Sequence, residues 1–308
     1  MAARVVTLTL NPAIDIACSA ERVRHTHKVR TGDEHIDPGG GGINVARVLH
    51  ALGGETLALI LAGGVTGALI EDLLDEAAVP HRIIRMKGRT RISFTVYDKA
   101  SAVEYRFVPE GPTAEEKDWL TVLTALETVE AGWLVASGSL ERGMPTDIYA
   151  QIAHIARRRG ICMVLDTSGL PLAFALTAGV DLVKPSLGEL EALVGRSLPA
   201  DAEQEAEAMA MVRRGQARMV AVTLGEKGAF LASADGIVRM PGLSVPFRSA
   251  VGAGDSFLAS MTLSLARGKS RREALKWGVA AGTATVLCAG TARLTTAEVD
   301  AQYRRLSG

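Results

Sequence analysis

The chain has 308 residues, enough for one large α/β domain or two small ones. Its 34 Lys and Arg balance 34 Asp and Glu, with no charged tail, which argues against nucleic acid or an anionic membrane surface as the main partner. Hydrophobic residues make up 48%, ample for a core, but no apolar run reaches the roughly 18 residues of a membrane span, and the first residues lack the form of a signal peptide, so the cytoplasm is the expected compartment.

In chain order, Val5–Leu10 predicts a strand ended by Asn11-Pro12. Residues 16–36 are polar with little helical period and suit exposed strands. Gly39–Gly42 breaks the chain, after which Ile43, Ala46, Leu49 and Leu52 share one helical face up to a stop at Gly53-Gly54. A buried strand at 56–61 and a helix at 67–76 follow. Over 88–108, Ile92, Phe94 and Val96 alternate, as do Val103, Tyr105 and Phe107, which predicts a hairpin across Asp98–Ser101. With 16–36 it forms a small accessory sheet, split in sequence by the first strand–helix unit. Thereafter strands and helices alternate. Thr113-x-x-Glu116 reads as a capping box opening a helix with Trp119, Leu120, Leu123 and Leu126 inward. Strands are expected at 133–136, 162–165, 181–183 and 219–223, and helices at 146–159, 173–177, 187–194 and 203–214. A hairpin at 229–240, a glycine-rich helix at 272–287 and a helix capped by Thr295-x-x-Glu298 complete the chain. The isolated Cys18, Cys162 and Cys288 read as buried thiols.

Such alternation implies a parallel sheet covered on both faces, with ligands beyond the carboxyl ends of its strands. That rule selects Asp15, the glycine run, Ser137-Gly138-Ser139, Asp166, Lys184, Gly225 and the turn Gly252-Ala253-Gly254-Asp255. The last opens a helix whose apolar face is Phe257, Leu258, Met261 and Leu265. Free amides at a helix N-terminus favour an anion, and a carboxylate beside them can take a proton from an attacking hydroxyl, a combination suited to phosphoryl transfer. The plainer reading is a glycine turn that Asp255 merely caps. For Asp166, structural anchoring is preferred to catalysis.

Over essentially its full length the chain resembles the PfkB/ribokinase family of sugar kinases. Gly-Gly-Gly-Gly-Ile-Asn-Val-Ala-Arg (39–47) is similar to one family signature and Ser-Ala-Val-Gly-Ala-Gly-Asp-Ser (249–256) to the other, with Leu-Val-Lys-Pro (182–185) and Thr-Leu-Gly-Glu-Lys-Gly-Ala (223–229) between them. Within the family, Thr-Leu-Thr-Leu-Asn-Pro-Ala-Ile-Asp, Tyr-Arg-Phe-Val and Ser-Gly-Ser-Leu resemble the ribokinase-type 6-phosphofructokinase branch. The resemblance implies a three-layer α/β ribokinase-like domain spanning 1–308, with a split β-sheet lid at about 16–36 and 88–108. It implies ATP-dependent phosphorylation of fructose 6-phosphate at C1, with Asp255 as general base and Gly252, Ala253 and Gly254 as the anion hole. Asp15, Gly40, Gly41 and Asn44 would hold the sugar, and Lys28, Arg91 and Ser139 its phosphate or neighbouring groups. Nucleotide contacts would fall on Lys184, Ser186, Thr223, Gly225 and Gly228. Glu189 would meet Mg²⁺ through water, and Ser249 and Val251 are candidate ligands for an optional K⁺. A homodimer paired through the lid sheets is also implied.

The sequence departs from the family pattern in three places. Ser186 stands where the family has Asn, Ala250 replaces the usual Thr, and Cys288 with Thr285 occupies positions near the cation site of relatives. 1-Phosphofructokinase or tagatose-6-phosphate kinase activity remains an alternative reading, as does a non-catalytic sugar-phosphate sensor.

Overall fold

The computed structural model describes residues 3–246, 249, 251–287 and 294–306. Among them, β1 (Val5–Thr9), β4 (Thr56–Gly63), β5 (His81–Met86), β8 (Trp133–Ser137), β9 (Cys162–Asp166), β10 (Val180–Val183), β11 (Ala217–Thr223), β12 (Ala229–Ser233) and β13 (Gly236–Met240) form one sheet. Its order is β13-β12-β11-β10-β9-β8-β1-β4-β5, parallel from β11 to β5, with the β12–β13 hairpin antiparallel at one edge. The expected parallel sheet is therefore mixed at that edge, because a hairpin needs only a tight turn where a parallel strand needs a crossover.

Both faces of the sheet are covered, and β1 shows why. Val6 and Leu8 point into a core shared with α3 (Glu116–Thr128), α4 (Ile148–Arg158), α5 (Gly169–Ala178), α6 (Leu187–Val194) and α7 (Asp201–Arg213). Val5 points the other way, toward α1 (Gly41–Ala51), α8 (Ala253–Ala266), α9 (Arg271–Val286) and α10 (Thr296–Arg305). Alternate side chains of one buried strand thus serve two cores, as a parallel sheet between helical layers requires. No helix among the described residues is long and apolar enough to cross a membrane.

The second sheet is β3-β2-β6-β7, built from β2 (Ala13–Ala20), β3 (Gly32–Gly39), β6 (Arg91–Asp98) and β7 (Val103–Phe107). Its strands begin at 13 and reach 39, wider than the expected 16–36. One pleat face presents Asp15, Ser93 and Arg106, since Asp15 pairs with Ser93 and Thr95 with Arg106. The other presents Ile36, Phe94, Tyr105 and Phe107, all exposed. An apolar third core of Ile14, Ile43, Ile60 and Ile70 seats the base of β2 against α1 and α2 (Gly64–Glu76).

Several local expectations fail. Strand β5 was not expected, because His81, Arg82 and Arg85 interrupt its apolar pattern at the sheet edge. The capping box of α3 is Glu115 with Asp118, not Thr113 with Glu116; Thr113 instead bridges to Arg142. Of the residues expected inward on α3, Leu126 is buried and Trp119 and Leu123 pack on the core, but Leu120 lies 43% exposed and Val122 is buried instead. Helix α5 starts a turn earlier than expected. Cys18 and Cys162 are half-buried free thiols rather than core residues, and Cys288 lies outside the described residues.

Candidate active site

Loops at the carboxyl ends of β1, β8, β9, β10 and β11 converge with the start of α8 and the polar face of the small sheet. Gly252, at φ 77°, is the N-cap of α8, a left-handed conformation that glycine adopts without strain. The amide of Ser256 closes the first intrahelical bond to the Gly252 carbonyl at 2.9 Å. The amides just before it have no partner within the helix, which leaves them for a ligand. Asp255 lies in this first turn.

Asn44 of α1 donates to Asp255 Oδ2 at 2.9 Å, so a residue expected to hold sugar also fixes the carboxylate. Behind the turn, Lys184 at the end of β10 pairs with Asp166 at the end of β9 (3.1 Å). A Cβ added at Gly254 would stand 3.7 Å from Lys184 Nζ, so the ammonium lies against the turn. Burial pushes the Asp255 carboxyl up to about 7, and the neighbouring Asp166 charge adds to it, while Asn44 and Lys184 pull the other way. Burial opposes the charge of Lys184, but Asp166, Glu189 and Asp255 outweigh it and hold the ammonium above its ordinary value. Asp166 is therefore a charge partner of this lysine, close to the anchoring role expected of it.

The turn stands between two cavities. One, of about 380 Å³, is lined by Asp15, Gly40, Gly41, Asn44, Arg91, Ser139, Glu189 and Asp255, together with Arg106, Ser137 and Asp166. Its floor explains the glycine run: a Cβ on Gly39 would collide with the Asp15 carboxylate and one on Gly41 with the Ser137 hydroxyl. Burial raises the Asp15 carboxyl, against the pull of Arg106 and Arg91. The other cavity, of about 720 Å³, is lined by Thr223, Gly225, Gly228, Ala253 and Gly254 on one side and by Phe257, Val279, Gly282 and Thr283 of α8 and α9 on the other. A polar mouth with an apolar wall suits a purine nucleotide, its phosphates toward the turn.

The remaining expected residues are placed differently. Lys28 is exposed on the 21–31 loop between β2 and β3 and lines neither cavity. Asp15 lies within a strand of the small sheet, not just past a strand of the large one. Arg91 reaches the first cavity, but its guanidinium donates to the carbonyls of Pro109 (2.7 Å), Asn11 (3.0 Å) and Pro12 (3.4 Å). Ser186 caps α6, exchanging hydrogen bonds with Glu189, whose Oε2 also accepts from the Ser186 amide at 2.7 Å. Ser249 is buried, and its hydroxyl accepts from the Val251 amide at 3.2 Å. Ala250 lies outside the described residues.

Arg106 was missed. The signal was present: if Val103, Tyr105 and Phe107 face one way, Glu104 and Arg106 must face the other. Ser93 was likewise legible only once the register placed it beside Asp15, whereas Ser137, selected by the strand-end rule, lies against Gly41.

A family model described as pfkB family carbohydrate kinase matches residues 8–297. The ATP-dependent 6-phosphofructokinase isozyme 2 of Mycobacterium tuberculosis is 44% identical over 300 residues, 96% of this chain and 88% of that protein. Its namesake from Escherichia coli K12 is 37% identical over 306 residues, 99% of each. Crystal structures of E. coli phosphofructokinase-2 superpose with TM-scores of 0.95 (potassium complex, 37% identity) and 0.93 (fructose-6-phosphate complex, 36%), each covering 99% of this chain and 100% of the other.

Proposed function

The chain belongs to the pfkB family of carbohydrate kinases, and from that premise we propose that it transfers the terminal phosphoryl group of ATP to the C1 hydroxyl of fructose 6-phosphate. The observation that carries this reading is Asp255, held by Asn44 at the turn between the two cavities. A carboxyl raised to about 7 is matched to general-base work at neutral pH. Its carboxylate accepts the C1 hydroxyl proton as that oxygen bonds to phosphorus and the bond to the ADP leaving group breaks. The α8 amides and Lys184 offset charge on the phosphates from the nucleotide side. Asp15 and Asn44 present polar atoms to the sugar, and Arg91, Arg106 and Ser139 gather positive charge and a hydroxyl where a sugar phosphate would lie.

No group of three or more His, Cys, Asp or Glu side chains suited to a metal ion occurs among the described residues. Glu189, on the cavity wall, would hold a water of a Mg²⁺ carried mainly by the phosphates. The ion would neutralise phosphate charge during transfer. For K⁺, support comes from the potassium complex of the E. coli relative and from Ser249 and Val251 beside the turn.

The small sheet serves as a lid over the sugar cavity, and its exposed Ile36, Phe94, Tyr105 and Phe107 suit pairing with a second copy. A tetrameric inhibited form is described for the E. coli relative. A glycolytic reaction of this kind implies a cytoplasmic enzyme. The test is a panel of fructose 6-phosphate, fructose 1-phosphate and tagatose 6-phosphate with ATP and Mg²⁺. Fructose 6-phosphate is expected to give the highest kcat/KM. A preference for fructose 1-phosphate above about tenfold, or about 1.4 kcal/mol, overturns the assignment.

A further inference from the structure

Two residues after Ser139 lies a carboxyl group that the reaction above does not use. Glu141 is 2% exposed, and neither of its oxygens has a hydrogen-bond partner among the described residues. Asn11, just past β1, is also buried. Its amide nitrogen donates to Ser139 Oγ, to Leu140 O and to Glu110 O, each at 3.1 Å, while its Oδ1 is left without a partner. The open acceptors face a common point: a Cβ built on Gly111 would stand 2.8 Å from Asn11 Oδ1 and 2.8 Å from Glu141 Oε2. Buried acceptors gathered at one spot without a donor are costly, and one proton on Glu141 would ease the conflict by offering Asn11 Oδ1 a donor.

This spot also ties the lid to the large sheet. The chain crosses from β1 to β2 at Asn11-Pro12, from β5 into β6 just before Arg91, and from β7 to α3 beyond Pro109. Arg91 donates to the carbonyls of Asn11, Pro12 and Pro109, and Asn11 donates to the carbonyl of Glu110. One cluster, buried at Asn11 and Glu141, thus ties three of the crossings together, and it contacts Ser139 and Arg91, two residues that line the sugar cavity.

We propose that Glu141 is a positioning residue, a neutral carboxylic acid that donates a hydrogen bond to Asn11 Oδ1 and so fixes the amide and main chain that present Ser139 and Arg91 to the phosphate of the sugar. Burial pushes the Glu141 carboxyl up to about 8, against the pull of Arg91 and Arg142, which favours the acid form at neutral pH. The inference rests on the sugar-phosphate reading of the cavity. An ionised Glu141 acting as a counter-charge to Arg91 makes the opposite prediction for its amide variant.

The experiment compares Glu141→Gln and Glu141→Leu in the full chain, with fructose 6-phosphate and ATP varied separately. Glu141→Gln keeps a donor for Asn11 and is expected to stay within about twofold of the parent in every constant. Glu141→Leu leaves Asn11 Oδ1 unpaired and is expected to raise KM for fructose 6-phosphate about tenfold, with kcat and KM for ATP changed by less than about twofold. Infrared difference spectra of parent against Glu141→Gln at neutral pH should show one protonated-carboxyl band lost. A rise in KM for Glu141→Gln equal to that for Glu141→Leu, an unchanged KM for Glu141→Leu, or no lost band overturns the proposal. If Glu141→Leu does not fold, the amide variant and the infrared band decide. If the parent itself does not phosphorylate fructose 6-phosphate, the functional reading fails, and the infrared band still reports the proton on Glu141.

Discussion

The Gly252–Asp255 turn and the lid sheet both line the sugar cavity, but they hold their side chains by different means. Asp255 sits at the head of α8, much of which is buried, and Asn44 reaches it from another helix. Strand β7 is exposed along its whole length, and Arg106 makes no ion pair among the described residues. Rigid packing surrounds the proposed base, whereas Arg106, proposed to meet the sugar phosphate, stands on an exposed edge strand. Substitutions should separate the two regions: those in the turn alter kcat, and those in the lid alter KM or assembly.

The largest effect is expected from Asp255→Asn, which keeps the shape and removes the base: kcat should fall at least a hundredfold while fructose 6-phosphate still binds, as isothermal titration would show. Loss of binding together with turnover would erase the contrast between the regions. Next comes pH. Asp255 must be ionised to accept a proton, and its carboxyl is raised to about 7, so the rate should fall about tenfold per unit as pH drops below about 7. The same shift has a stability consequence of opposite sense. A carboxyl raised in the folded state is disfavoured as a charge there, and this penalty is full above about 7 and fades toward its unfolded value of 3.8. Asp255→Asn should therefore melt above the parent at about pH 8, and the gap should narrow at about pH 5.

In the lid, Arg106→Ala should raise KM for fructose 6-phosphate about tenfold, in keeping with loss of one charge-assisted hydrogen bond, and leave KM for ATP unchanged. A change confined to kcat would move Arg106 from recognition to chemistry. The smallest effect on activity is expected from Phe107→Asp, which places a charge on the exposed apolar face. Light scattering should show a shift toward monomer at micromolar concentration, and an unchanged mass would remove this face from the interface.

The two regions also differed in how far the sequence revealed them. The proposed phosphate loop and base and the helix they open are contiguous at 249–266, so glycines, a carboxylate and a 3.6-residue period signalled them together. Asn44 required the family likeness, being 211 residues from its partner. Arg106 and Ser93 depended on strand register, which turn chemistry and burial set together. Lys28 was expected in the site, but the 21–31 loop carries it on the surface. Glu141 carried no signal, since an acidic residue after Ser-Gly-Ser-Leu reads as a solvated loop, and only three-dimensional packing buries it. The misplaced cap of α3 has a similar cause: Thr113 fits the pattern, but its pairing with Arg142 holds it outside the helix.

The alternation of side chains in β6 limits how this lid can change over time. Deleting or inserting one residue ahead of Arg91 would exchange Arg91 and Ser93 with Ile92 and Phe94, turning grease toward the sugar and polar groups outward in a single step. The lid can therefore drift by point substitution far more readily than by gaps. Length changes are better absorbed in β3, whose ladder with β2 already slips between Ala17 and Ser19, whereas the β2–β6 ladder runs without a break.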